Sequence, residues 1–388
     1  MIMSFEKFSA LLSQVCSRCT LAAGRPLLWT IIANPRAGGF TIRSRWKKHY
    51  AQLAESAKKA EKNALREGGP SRTTREMETA EAPGLVITRT SGHAEEITNA
   101  LLREAEAEGG SLTGRQRPFY LIITAGGDGT SRDVMTSLYH APSEIREDFA
   151  ILRLPMGTGN DGSDTWELDK AMDLLIEPSR LAKQRVLRLK TASGKGGPYL
   201  AFNILSAGLD AFVTHMTNRT KGKLPGDSYK IWVDLAALFY DLIYKVGYMD
   251  VRVTDSEGKE IKTFREKMLL LAVGESGRRT YGSHKWILPD ERNVCAIKQM
   301  SLFRKFALKG PLGNGGHIDQ PEAMLWNAAQ VEFSAEHPIL VQMDGETLRL
   351  EKGDFPAVIE LSAPLIPVIR GAGAGEYRSI PGPKLAKP

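Results

Sequence analysis

The sequence predicts an α/β N-terminal domain, a parallel sheet flanked by helices, followed by a C-terminal antiparallel β domain. Two patterns carry this reading. In the first half, short apolar runs alternate with helical stretches, and the runs break into turns rich in glycine or proline. Past about Arg180, apolar and polar residues alternate with period two between turns, as antiparallel strands do. A chain of 388 residues, 42% hydrophobic and 25% charged, has room for roughly two or three globular domains.

Residues 1–26 form an N-terminal extension, in which Phe5, Phe8, Leu11, Leu12 and Val15 fall near helical spacing and predict a packing helix. Leu27 to Ala33 reads as a strand ending in Asn34-Pro35-Arg36-Ala37-Gly38-Gly39, where an arginine can meet phosphate. Ile42 to Glu67 is helical in composition, and Gly68 to Pro83 reads as a mobile loop. Leu85 to Thr88 is a second strand, and Gly92 opens a helix to about Glu108 with acids early in it. The third strand, from Tyr120, breaks into Gly126-Gly127-Asp128-Gly129-Thr130, and a helix follows from Ser131 to Tyr139. Ala150 to Leu154 is a fourth strand, closing on Pro155-Met156-Gly157-Thr158-Gly159-Asn160-Asp161. The α/β domain so defined covers residues 27–180.

The β-rich domain covers 181–370. Met249, Val251 and Val253 alternate with polar residues before a hairpin turn at Asp255 to Gly258. Val331 and Phe333 alternate similarly, as do Ile339, Val341 and Met343, and Tyr229 to Tyr244 is this domain's one convincing helical stretch. Residues 371–388, rich in glycine, proline and lysine, read as a flexible tail.

A net charge of +7 favours acidic partners: nucleotide phosphates, an anionic membrane surface, or nucleic acid. The basic residues are spread along the chain rather than gathered in one tract, which argues against nucleic acid. No apolar run reaches the roughly 18 residues of a spanning helix. Met1 to Thr20 lacks a basic leader, so a cytoplasmic protein is expected. Three cysteines fit a reducing compartment, and Cys16-x-x-Cys19 has no second cysteine or histidine pair at finger spacing.

The turn Gly126 to Thr130 lies between a buried strand and a helix N-terminus, where unpaired N–H groups and the helix dipole favour a polyphosphate. An ordinary strand-to-helix turn has the same spacing. Asp128 would repel bare phosphate and so suggests a bridging Mg²⁺. In a parallel sheet, ligands lie beyond the carboxyl ends of the strands, where the three glycine-containing turns fall. Gly157 to Gly162 also satisfies G-x-G-x-x-G, which keeps a nicotinamide-dependent oxidoreductase as a rival. That fingerprint belongs in a first βα turn, however, and here it follows a fourth strand. No G-x-x-x-x-G-K-[ST] occurs. Asp344-Gly345 between alternating strands is the preferred two-residue hairpin turn.

Taken in order, these pieces resemble the diacylglycerol kinase catalytic family, which includes bacterial soluble lipid kinases and sphingosine kinases. The matching segments are Asn34 to Gly38, Thr88 with Gly92-His93-Ala94, Gly126 to Thr130, Leu154 to Asp161, Ser206 to Ala211, Lys223 to Tyr229, and Asp344 to Glu346. Gly-Gly-Asp-Gly-Thr alone also occurs in NAD kinases and phosphofructokinases. Pro-x-Gly-Thr-Gly-Asn-Asp and the late Asp-Gly-Glu single out the lipid kinases.

The resemblance implies an ATP- and Mg²⁺-dependent lipid kinase with a β-sandwich as its second domain and ATP held between the two. Nucleotide contacts would come from Asn34, Pro35, Arg36, Ala37, Gly38, Thr88, Gly92, Gly126, Gly127, Asp128, Gly129, Thr130, Ser131, Arg132, Gly157, Thr158, Gly159 and Asn160. Asp344 would be the general base, with Glu346 beside it, and Asp128 and Asp161 would join the Mg²⁺ network. The substrate would be a lipid such as diacylglycerol or a sphingoid base, met at a membrane surface by a peripheral protein. A non-catalytic nucleotide- or lipid-binding protein on the same scaffold is the other rival. Oligomeric state is left open, a homodimer included. Two departures stand out: Arg132 and Asp133 replace the family's Asn-Glu pair, and Pro289 to Asn293 shortens the loop that carries a second Mg²⁺ in some members.

Overall fold

The computed structural model describes residues 5–19, 21, 24–67, 84–111, 117–220, 239–282 and 284–372. The expected loop at 68–83, the Lys223 to Tyr229 segment, most of the expected helix from Tyr229 and the tail beyond Ala372 lie outside them. The chain forms two units. One is the chain up to Gln184 with the segment from Leu365, and the other is Arg185–Pro364. This differs from the expected 27–180 and 181–370: the N-terminal helix joins the first unit, and so does the last strand.

The first unit holds a six-stranded sheet of β1 (Leu27–Ala33), β2 (Leu85–Ile87), β3 (Phe119–Ala125), β4 (Phe149–Arg153), β5 (Ser179–Gln184) and β19 (Ile366–Gly371). Their order is β2-β1-β3-β4-β19-β5. β2, β1, β3 and β4 are parallel, with Ala33 opposite Ala125 and Thr124 opposite Arg153, so their carboxyl ends lie along one rim. β19 runs parallel to β4, and β5 closes the edge antiparallel to β19.

Side chains alternate across the sheet. Phe119, Leu121 and Ile123 share a core with Phe8, Leu12 and Val15 of α1 (Phe5–Cys16), Leu53 of the helix Arg43–Glu67, and Leu168 and Leu175 of the helix Leu168–Ile176. The N-terminal helix is therefore core, with Phe8 edge-on to Phe40. On the other face, Thr124 Oγ1 meets Ser131 Oγ at 2.9 Å, seating the helix Asp128–His140. Cys16 and Cys19 are free thiols, both buried. Burial pushes the Cys19 thiol up to about 11, partly offset by a hydrogen bond from the Leu21 backbone, which leaves it a poor nucleophile.

The second unit is antiparallel. Its strands are β6 (Leu187–Lys190), β7 (Tyr199–Ala201), β8 (Ile204–Gly208), β9 (Tyr248–Thr254), β10 (Glu260–Gly274), β13 (Val294–Lys298), β14 (Ala323–Trp326), β15 (Gln330–Ala335), β16 (Ile339–Met343), β17 (Glu346–Leu350) and β18 (Ala357–Leu361), with a small separate pair β11 (Arg279–Tyr281) and β12 (Lys285–Leu288). The long β10 pairs with β9 through its first half and with β8 and β13 through its second. Both halves therefore wrap one core: Val251 and Val253 of β9, Phe333 of β15 and Ile359 of β18 share it with Leu205 of β8, Leu271 of β10 and Met343 of β16. Met249, Val251 and Val253 point inward as their alternation predicts, and Asp255 Oδ1 accepts the Glu257 and Lys259 N–H groups in the expected turn. Of the expected helical stretch residues 239–244 are described, and Tyr240–Ile243 is helical. The sequence reading missed two other helices, Leu209–Thr220 and Leu302–Asn314.

Candidate phosphate-binding rim and the Asp344 turn

Three of the predicted loops touch one another at the carboxyl rim of the first sheet. Asn34 donates its N–H to Ala125 O at 2.9 Å, and its Nδ2 lies 3.4 Å from Thr130 Oγ1. Asn34 Oδ1 accepts the Arg36 N–H, folding Pro35 and Arg36 into a tight turn with Arg36 exposed. Gly39 N–H donates to Met156 O at 2.7 Å, which joins the first loop to the third. The second and third loops approach most closely at Gly127 and Gly157. A Cβ on Gly157 would stand 2.8 Å from Gly127 Cα and 3.0 Å from Asn160 Oδ1.

Gly157→Ala therefore pushes one backbone against another with no flexible side chain to yield. It is expected to cost about 1–3 kcal/mol of stability, which thermal melts check.

The loop after β4 is held by Asn160, in left-handed conformation (φ 58°). Its Oδ1 accepts the Gly157 N–H at 2.6 Å and its Nδ2 reaches Pro155 O at 3.1 Å. Asparagine tolerates that backbone conformation better than most residues. Gly127 caps the helix Asp128–His140 with no side-chain bond, and the first-turn N–H groups of any helix lack intrahelical acceptors. They suit an anion. Thr158 is exposed on this rim, and Thr88 N–H donates to Ala33 O beside it. Gly92 (φ 79°) precedes the helix His93–Ser111, and Ser131 is buried with its hydroxyl on Thr124.

Asp128 Oδ1 accepts the Gly162 N–H at 2.8 Å, tying the second loop to the third once more. A Cβ on Gly159 would lie 3.1 Å from Asp161 Oδ2 and 3.5 Å from Asp128 Oδ2, so both carboxylates converge on one glycine. Mg²⁺ is bound through one or two carboxylates plus phosphate and water oxygens, and this pair fits that donor set. Among the described residues no cluster of three or more His, Cys, Asp or Glu forms an all-protein cage. Asp290, in the shortened loop, has its carboxylate taken up by the Arg292 N–H and guanidinium.

The sequence reading missed what lies beneath the rim. Asp164 is buried and accepts from Arg153 N at 2.8 Å, Arg153 Nη2 at 2.6 Å and Arg370 Nη1 at 2.8 Å. Arg153 Nη2 also reaches Gln184 Oε1 at 2.9 Å. This network pins the exit of the third loop to β4, β5 and β19. Arg45, inside the charged helix, reaches Gly157 O at 3.3 Å. Neither has a local sequence signal.

In the second unit, Asp344 (φ 49°) and Gly345 (φ 101°) form the two-residue turn between β16 and β17. The Asp344 carboxylate accepts the backbone N–H groups of Phe202, Asn203 and Ile204, the last two at 3.0 Å. Below it, buried Gln342 donates to Ser206 Oγ at 3.0 Å and accepts the Gly345 N–H at 3.2 Å, while Ser206 Oγ donates to Asp210 at 2.6 Å. Asn218 Nδ2 holds Gly345 O at 2.8 Å. The turn is thus fixed from several sides. Glu346 is exposed at the start of β17.

A parallel sheet with glycine loops meeting at its carboxyl rim makes the first unit an α/β domain. Residues 28–192 match the family model of the diacylglycerol kinase catalytic domain. A diacylglycerol kinase of Staphylococcus carnosus is 23% identical over 60% of this chain and 71% of its own length. A protein of Pseudomonas fluorescens, named a probable YegS-like lipid kinase, is 25% identical over 61% of this chain and 72% of its own. The crystal structure of a diacylglycerol kinase from Bacillus anthracis shares the fold, with a TM-score of 0.51 at 15% identity over 89% of this chain and 97% of that one.

Proposed function

We propose that the chain transfers the γ-phosphoryl group of ATP, with Mg²⁺, to a hydroxyl of a membrane-derived lipid such as diacylglycerol or a sphingoid base. The observation that carries this is the meeting of three glycine loops at one rim beside two carboxylates, Asp128 and Asp161. Phosphoryl transfer needs little from a protein beyond positioning and charge neutralisation, and such a rim offers both. The N–H groups at the start of the helix Asp128–His140 and the loops Asn34–Gly38 and Gly157–Asn160 take the phosphates. Arg36 and Arg132 add positive charge. Asp128 and Asp161 would hold Mg²⁺, which would draw electron density from the phosphate oxygens when bound. Asp344 accepts the proton of the lipid hydroxyl as it attacks, in a plane set by the three N–H groups that hold its carboxylate.

The net charge of +7 favours an anionic membrane surface as the place of reaction. Among the described residues no helix is long and apolar enough to cross a membrane. The reading is tested with labelled ATP against a panel of lipid micelles, with and without Mg²⁺. Label is expected in one lipid class, only with the metal, and Asp128→Asn should raise the Mg²⁺ needed roughly tenfold or more. Binding of NADH with no transfer to any lipid would favour the oxidoreductase instead.

A further inference from the structure

The helix Leu302–Asn314 presents its side chains the wrong way round for a helix that ends at water. It opens at Ser301, whose side chain accepts the Arg304 N–H, and closes at Gly315 in left-handed conformation (φ 90°). Its inner face carries Leu308 and Leu312, which join Met300, Leu269 and Ile297 in an apolar layer. Lys305 is buried beside them and ion-paired with Asp241. Arg304 grips Glu322 through Nε at 2.7 Å and Nη2 at 2.9 Å. Two of the helix's cations are thereby held against the protein.

The outward face is left to apolar groups. Phe303 is 87% exposed, Phe306 52% and Leu302 36%. Phe303, Phe306, Ala307 and Gly310 follow the spacing of one helical stripe, and all are exposed. Lys309 is exposed beside it, and the helix contains no carboxylate. An apolar stripe with a cation and no acid is complementary to an anionic lipid surface, where aromatic rings enter the headgroup–acyl boundary and lysine meets the headgroups. A protein partner would cover the phenylalanines equally well but sets no such condition on charge.

We infer that the helix Leu302–Asn314 docks the protein on anionic bilayers by inserting Phe303 and Phe306. The choice of a bilayer as occupant rests on the lipid-kinase reading, and the test separates the two. The full chain is sedimented with phosphatidylglycerol–phosphatidylcholine vesicles beside Phe303→Ser/Phe306→Ser and Lys309→Glu, with melts confirming that each variant folds. The double variant should partition roughly 30-fold less. Lys309→Glu should lose binding to anionic vesicles and change little with pure phosphatidylcholine. The double variant should phosphorylate a dispersed short-chain lipid at the wild-type rate and a vesicle-embedded one far more slowly. Equal sedimentation of wild type and double variant overturns the inference. So does a wild-type dimer that the double variant breaks, without any loss of vesicle binding. If no lipid is phosphorylated in either form, the kinase reading falls while sedimentation still decides the docking.

Discussion

Asp344→Asn is expected to lose at least about a hundredfold in lipid phosphorylation while binding ATP as the wild type does. The variant separates the observed turn role of Asp344 from its proposed role as base. As a turn residue Asp344 sits at φ 49°, which asparagine tolerates, so the hairpin between β16 and β17 should survive. As an acceptor it serves three N–H groups: Oδ1 takes those of Asn203 and Ile204, and Oδ2 that of Phe202. An amide NH₂ in place of Oδ2 would face the Phe202 N–H without an acceptor, costing about 1–3 kcal/mol. A modest fall in Tm is therefore expected whatever the chemistry. Turnover with labelled ATP is the deciding measurement. If the rate stays near wild type while Tm falls, Asp344 is an anchor for the Phe202–Ile204 segment and the proton goes elsewhere.

The sequence showed most of the rim and little of its support. β1, β3 and β4 were legible because each is a short apolar run cut off by glycine or proline, and those breaks are the loops that now touch. Asp344-Gly345 was legible as a hairpin turn because few dipeptides suit two residues of positive φ. β19 was not, because Pro367 interrupts an otherwise apolar stretch and the partner strands lie far back in the chain. The helix Leu302–Asn314 was hidden by Gly310, Pro311 and Gly313, which all disfavour a helix locally. Its capping by Ser301 and the inward pairing of Lys305 override that preference only once the fold supplies Asp241. Arg153, Asp164 and Arg370 look like ordinary surface charges in sequence. Only the return of the last strand makes them a buried cluster.

That cluster sets the second large effect, a loss of about 3–5 kcal/mol for Asp164→Asn. Both guanidiniums are buried, and the variant leaves them side by side with a neutral amide between. Burial by itself would raise the Asp164 carboxyl, but the adjacent Arg153 and Arg370 outweigh it and hold the group at about 2. Arg370 feels the reverse balance: burial lowers it and the Asp164 charge raises it, yet a guanidinium stays protonated throughout the range in which proteins fold. Because the folded value lies below the roughly 3.9 of an unfolded aspartate, the stabilisation is fully present above that value. It is lost as pH falls through about 2. The stability gap between wild type and Asp164→Asn, read from urea midpoints, should accordingly be flat above about pH 4 and shrink below it. Replacing all three charges, as Arg153→Met/Asp164→Leu/Arg370→Met, should recover much of the loss, since a buried ionic cluster often adds little over apolar packing of similar volume. Nucleotide affinity need not return with stability in that variant, because Asp164 also anchors the exit of the Gly157–Asp161 loop through its bonds to Arg153. Recovered folding with ATP binding still weakened would mark Asp164 as a positioning residue for the rim. Full recovery of both would make it a structural charge only.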